Sequence, residues 1–228
     1  AFAFTREDDG FMTNPGSPSP VFGVNYNQPE DVGAYEQSGG SLVLHGEVND
    51  RISITASARF NEYDGPVNNW ARDMGAAGSL QYPLTLDTSL NPTHERETFG
   101  ARFEINVEGD VFDFKSITSY TDTESDRHTD IDLTQLWFIN TFRPETMEVM
   151  TQEFRFSSSS EGPLQWVGGV YLMDLEETMN SYFDLGWIAI DGDDPLTGLQ
   201  VPFETRRENK SNLAAFGNVT YETGAWEW

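Results

Sequence analysis

Ile52-Ser53-Ile54-Thr55-Ala56-Ser57-Ala58-Arg59-Phe60 decides how this chain folds. Apolar and polar residues alternate along it without a break, and a β-strand turns successive side chains to opposite faces. One face takes Ile52, Ile54, Ala56, Ala58 and Phe60; the other takes Ser53, Thr55, Ser57 and Arg59. Residues 99–107 repeat the pattern, with Phe99, Ala101, Phe103, Ile105 and Val107 set against Gly100, Arg102, Glu104 and Asn106. Looser alternation recurs near 40–48, 111–121, 147–157, 164–176 and 211–222. With the opening segment this predicts about eight strands, and helical periodicity is scarce.

The connectors alternate in length. Asn49-Asp50, Gly109-Asp110, the stretch from Ser158 to Pro163, and Thr223-Gly224 are short and carry turn chemistry. Between them lie long segments rich in Gly, Pro, Asn and Asp, at 7–39, 62–96, 122–145 and 177–209. Compact domains rarely hold several structureless loops of that length. A membrane barrel has short turns on its periplasmic rim and long loops outside. The expected fold is therefore all-β: an antiparallel meander of about eight strands forming part of a transmembrane β-barrel. A soluble secreted sandwich, for instance a carbohydrate-binding module, shares the alternation and is the alternative.

Composition agrees. Only 37% of the 228 residues are hydrophobic, yet 13% are aromatic, with 16 Phe, 8 Tyr and 6 Trp. Disordered chains lack aromatics, whereas a wall with apolar outside and polar inside needs apolar residues at alternate positions only. The formal net charge of -25 argues against nucleic acid, which requires a basic footprint. With no cysteine, there is no disulfide, thiolate site or Cys nucleophile. No apolar run is long enough for a membrane helix, and residues 1–5 do not read as a signal peptide.

Several stretches resemble barrel strands of TonB-dependent receptors. Phe114-Lys115-Ser116-Ile117-Thr118-Ser119-Tyr120 is similar to a family strand with a "SITSY" core followed by an Asp-rich loop, here Asp122 to Asp132. Thr151-Gln152-Glu153-Phe154-Arg155-Phe156 resembles "TQELRL", and Trp166-Val167-Gly168-Gly169-Val170-Tyr171 resembles "WVGGLYY". Residues 214–221 resemble "AAFGQVTY", and Phe4-Thr5-Arg6 with Asp9-Gly10-Phe11 and Asn14 resembles an early barrel segment. The order and spacing of these matches are more specific than any one of them. The resemblance implies that residues 1–228 are a partial receptor barrel lacking plug and C-terminus, in a Gram-negative outer membrane. It further implies active import of a ferric siderophore or other large nutrient, with lipid, lipopolysaccharide and, through the plug, TonB as partners. A passive porin-like barrel is the alternative within the membrane class.

Candidate site residues fall into two groups. Arg59, Arg102, Glu104, Glu153 and Arg155 would line the lumen if the phenylalanines beside them face lipid, either pairing to stiffen the wall or marking a substrate path. Trp70, His94, His128, Trp137 and Trp187 lie in or beside the long loops and are candidates for extracellular ligand contact. The aromatics nearest strand ends fit interfacial girdles equally well. Asp191-Gly192-Asp193-Asp194 lacks the later Glu of a calcium loop, and no His pair has metal-ligand spacing. No metal, cofactor or catalytic motif is present, so the chain does not read as an enzyme.

Overall fold

The computed structural model describes residues 1–10, 12–13, 31–67, 84–85, 92–131, 139–159, 162–189 and 198–222. Eleven strands occur among them: β1 (Phe2–Asp8), β2 (Met12–Thr13), β3 (Asp31–Val32), β4 (Tyr35–Asn49), β5 (Ile52–Gly65), β6 (Leu84–Thr85), β7 (Thr93–Val107), β8 (Phe112–Asp130), β9 (Asn140–Ser158), β10 (Leu164–Ala189) and β11 (Gly198–Tyr221). Eight form one sheet in the order β1-β4-β5-β7-β8-β9-β10-β11, every neighbour antiparallel. The predicted meander of about eight strands is what forms. The three two-residue strands make a small sheet, β3-β2-β6, that joins the β1–β4 connector to the β5–β7 connector. Gly10 and Gly33 shape the first of these with φ of 82° and 92°. A Cβ at Gly10 would also meet the Val32 carbonyl oxygen at 2.7 Å, so side chains are excluded there twice over.

The register carries the alternation across the whole sheet. Leu44, Ala56, Phe103, Thr118, Gln152, Leu172 and Leu213 stand in one row, and Gly46, Ile54, Ile105, Ser116, Phe154, Val170 and Ala215 in the next. On this face a mainly apolar stretch runs about nine residues on five of the eight strands, at 52–60, 99–107, 112–120, 164–172 and 213–221. The stretch lies toward the end that carries the short turns. There Asn49 Oδ1 accepts from the Arg51 amide at 2.9 Å, and Arg51 reaches Asp110 at 2.7 Å, clipping two neighbouring turns together.

Among the described residues no core lies behind this face. Among the described residues only Val32 and Met179 are buried hydrophobics, while Leu44 is 60%, Phe103 44% and Leu213 71% exposed. Element contacts run only between partners within each sheet, so no second layer covers either face among the described residues. A soluble sandwich would bury Ile52, Ile54, Phe99 and Phe103 between two sheets. Among the described residues no second sheet does so.

The long connectors need a correction. Region 122–145, expected to be a loop, is mostly strand: β8 continues to Asp130 and β9 starts at Asn140. β10 and β11 likewise extend into 177–209. The alternation fades there because both faces are polar, yet backbone pairing is indifferent to side-chain polarity and continues. The hairpins therefore rise well beyond the apolar band.

Candidate functional site

Above the band, the two faces of the sheet differ in charge. Glu7, Glu36, Asp64, Glu95 and Asp126 stand in one register row across β1, β4, β5, β7 and β8, with Glu62, Glu97 and Glu124 in the row beneath. These carboxylates continue the apolar face upward. The opposite face collects Arg6, Arg59, Arg96, Arg102, Lys115, Arg127, Arg143, Arg155, Arg206 and Lys210, ten of the 13 Lys and Arg in the chain. Of the other three, Arg51 sits in a turn, Arg207 is on the acidic face, and Arg72 lies outside the described residues. A chain of net charge -25 thus places nearly all its positive charge on one side of one sheet.

Low on this polar face the cations are paired. Glu104 accepts from Arg102 at 2.6 Å, Lys115 at 2.9 Å and the Asn106 amide at 3.1 Å, a network that spans β7 and β8. Arg155 donates to Glu153 through Nε at 2.9 Å and Nη2 at 2.6 Å, two residues apart on one strand and so on one face. Glu153 and Arg155 do share a face, opposite Phe154 and Phe156. Arg59 forms no ion pair among the described residues. It lies across Gly100, where a Cβ would meet its Nε at 2.7 Å, and borders a shallow depression of about 360 Å³ lined also by Ser41, Ser57, Arg102, Ser119 and Thr121.

Higher up, rings and cations assemble. Tyr35 stacks on Tyr63 at 6.2 Å, Tyr63 meets His94 edge-on at 5.7 Å, and the Arg96 guanidinium lies 6.0 Å from the Tyr63 ring centre. His94 Nε2 is 2.9 Å from the hydroxyl of Ser125, itself buried. Burial, then the neighbouring Arg127 and Arg96, hold the His94 imidazole below its usual pKa, so it favours the neutral form. Burial also raises the Tyr63 phenol, with Arg96 opposing. Arg127 approaches Glu145 only to 3.8 Å, and Arg143 Nε donates to Ser181 at 3.1 Å. Ser181 is fully buried.

His94 and His128 do not come together. His94 pairs with Arg127 and Thr93 with His128 in the β7–β8 register, which puts the two imidazoles on opposite faces. His128 packs on Phe142 at 4.5 Å, and Phe142 stacks on Tyr182. Trp70, Trp137 and the 191–194 run lie outside the described residues; Trp187 is in β10, its side chain outside the description. Tyr35, Tyr63, Arg96 and Arg127 carry no signal in the sequence because 7–39, 62–96 and 122–145 read as loop. The even spacing of Asp122, Glu124, Asp126 and Asp130, with Arg127 on the other parity, is the available signal.

Neither a family model nor a curated protein matches this chain. The fold is that of a TonB-dependent receptor-like β-barrel, over a segment of its wall. It is similar to the solved structure of the ferric yersiniabactin uptake receptor FyuA from Yersinia pestis, at 15% identity and a TM-score of 0.64. The match covers 94% of this chain and 38% of that one, so the chain spans well under half the length of that receptor.

Proposed function

We propose that the chain is part of the barrel wall of an outer-membrane, TonB-dependent receptor that imports a ferric siderophore or other large nutrient. One observation supports this above all: an apolar band about nine residues deep, fullest on one face and uncovered among the described residues. Nine residues at about 3.3 Å each, tilted by about 45°, rise about 21 Å, close to the roughly 25 Å apolar height of outer-membrane barrels. The likeness to an uptake receptor favours a transporter over a passive pore.

In this reading the apolar face meets lipid and the acidic rows stand at the level of lipopolysaccharide headgroups. The polar face lines the lumen. Glu104 with Arg102 and Lys115, and Glu153 with Arg155, stiffen the lumenal wall, while the protruding hairpins bearing His94 receive ligand from outside. TonB acts through a plug contributed by other parts of the receptor, and the wall carries no chemistry of its own. Uptake of a ferric chelate by cells with and without TonB tests the proposal, together with heat-modifiable migration of the receptor in detergent. Uptake that requires TonB, with a heat-modifiable band, is expected. Full solubility of the receptor in plain buffer, or uptake indifferent to TonB, refutes it.

A further inference from the structure

On the lower polar face Arg102, Lys115 and Arg155 each have a carboxylate partner, and Arg59 has none among the described residues. Its register row holds Phe2, Ser41, Gly100 and Thr121, and the row above holds Phe4, Gly39, Asn61 and Thr98. None of these is acidic. Glu104, on the neighbouring strand, already accepts from Arg102, Lys115 and Asn106. Glu177 and Glu208 of the same face stand four and five strands away, about 19 Å or more, and hold Arg206 and Lys210. Toward β1 the face turns apolar instead. The Phe2 and Phe4 rings lie 5.7 Å apart, and Phe2 is 62% and Val43 56% exposed. Only the small Gly39 and Ser41 stand between the ring pair and the strand that carries Arg59, so a dip separates aromatic surface from guanidinium.

We infer that Arg59, with Phe2 and Phe4 beside it, is the docking point for another polypeptide segment of the receptor, one that carries an Asp or Glu next to an apolar side chain. The inference rests on the transport reading for its setting, since that reading makes this face the lumen. A free hydrated anion would answer the guanidinium and leave Phe2 and Val43 in water. A purely apolar segment would cover the rings and leave Arg59 without a counter-charge. A segment that presents both groups answers both, and the forked guanidinium takes its carboxylate through two parallel hydrogen bonds. The similar receptor has more than half its length outside the matched part, which is chain enough to supply such a segment.

Zero-length cross-linking of the whole receptor in detergent tests this. A carbodiimide joins an amine to a carboxylate only where the two touch, so Arg59→Lys supplies the amine and peptide mass mapping identifies the carboxylate. Lys115, 2.9 Å from Glu104, gives the control link within the wall. The substituted lysine is expected to join an Asp or Glu outside residues 1–228, with an apolar residue adjacent to it. Arg59→Gln is expected to speed amide hydrogen exchange in that segment by about ten- to a hundred-fold, the range for losing a hydrogen bond to a charged group. Arg51→Gln, in a turn, leaves the exchange unchanged, and heat-modifiable migration confirms that each variant folds. A link to Glu104 or to any other carboxylate within residues 1–228 overturns the inference. So does no link from position 59 where the control link forms, which is the result a free anion would give, or exchange indifferent to Arg59→Gln. The expected link in a receptor whose uptake ignores TonB leaves the docking point standing and sinks the transport reading. TonB-dependent uptake with the control link alone does the reverse.

Discussion

Placing one arginine at each of two adjacent positions separates the two faces most directly. Ala56 stands at the middle of the apolar stretch of β5, between Leu44 and Phe103; Ser57, next to it, faces the other way beside Arg102. Four residues separate Ala56 from each end of the 52–60 stretch, about 13 Å along the strand and about 9 Å of depth at a 45° tilt. An Ala56→Arg side chain snorkels only part of that distance, and a cation near the bilayer midplane on the lipid face costs about 2–4 kcal/mol. That is a shift of about thirty-fold to several-hundred-fold in the folding equilibrium. Ser57→Arg enters the open depression of about 360 Å³, where Arg102 is already satisfied by Glu104, and costs under about 1 kcal/mol. Denaturant titration of the receptor in phospholipid vesicles, read by tryptophan fluorescence, measures both. Equal costs, or a larger cost at Ser57, would refute the assignment of the faces.

Three further outcomes are expected. Gly169→Ala destabilises by about 1–3 kcal/mol, because a Cβ there meets the Phe154 carbonyl oxygen at 2.4 Å and the Phe216 ring at 2.5 Å; Gly46→Ala, with nothing within 4 Å, is neutral or stabilising in the same titration. Burial lowers the pKa of both His94 and His128, so the unfolded chain takes up their protons first as pH falls. Their contribution to stability is full above the unfolded value of about 6.5 and is lost as pH falls below it toward the folded values; the double variant His94→Gln/His128→Gln removes that dependence from unfolding curves. Glu95→Gln, in the five-carboxylate row, stabilises by a few tenths of a kcal/mol at low salt, and the gain shrinks as added salt screens the row.

What the sequence disclosed depended on whether the two faces differ in polarity. At Ile52–Phe60 and Phe99–Val107 they differ, so period two is visible, and the strands form there, paired with each other. Beyond Tyr120 both faces are polar. Hydropathy then carries no period, so 122–145 read as loop although the β8–β9 ladder continues through it. The lumenal candidates Arg59, Arg102, Glu104, Glu153 and Arg155 could be set on one face from strand parity alone. The ring and arginine patch could not, because Tyr63, Arg96 and Arg127 meet only once register is fixed between strands distant in sequence.

The tall hairpins also constrain how such a wall can change length. β10 and β11 pair over nearly their full extent, with register shifts after Ser181 and after Leu185, so up to the first shift facing is set by counting residues from the apolar band. Adding or deleting residues in matched pairs raises or lowers the rim while each guanidinium keeps its side. A single-residue insertion without a compensating bulge would turn every side chain above it to the opposite face of the sheet. Rim height can therefore drift by even steps, whereas an odd step exchanges the two faces above it.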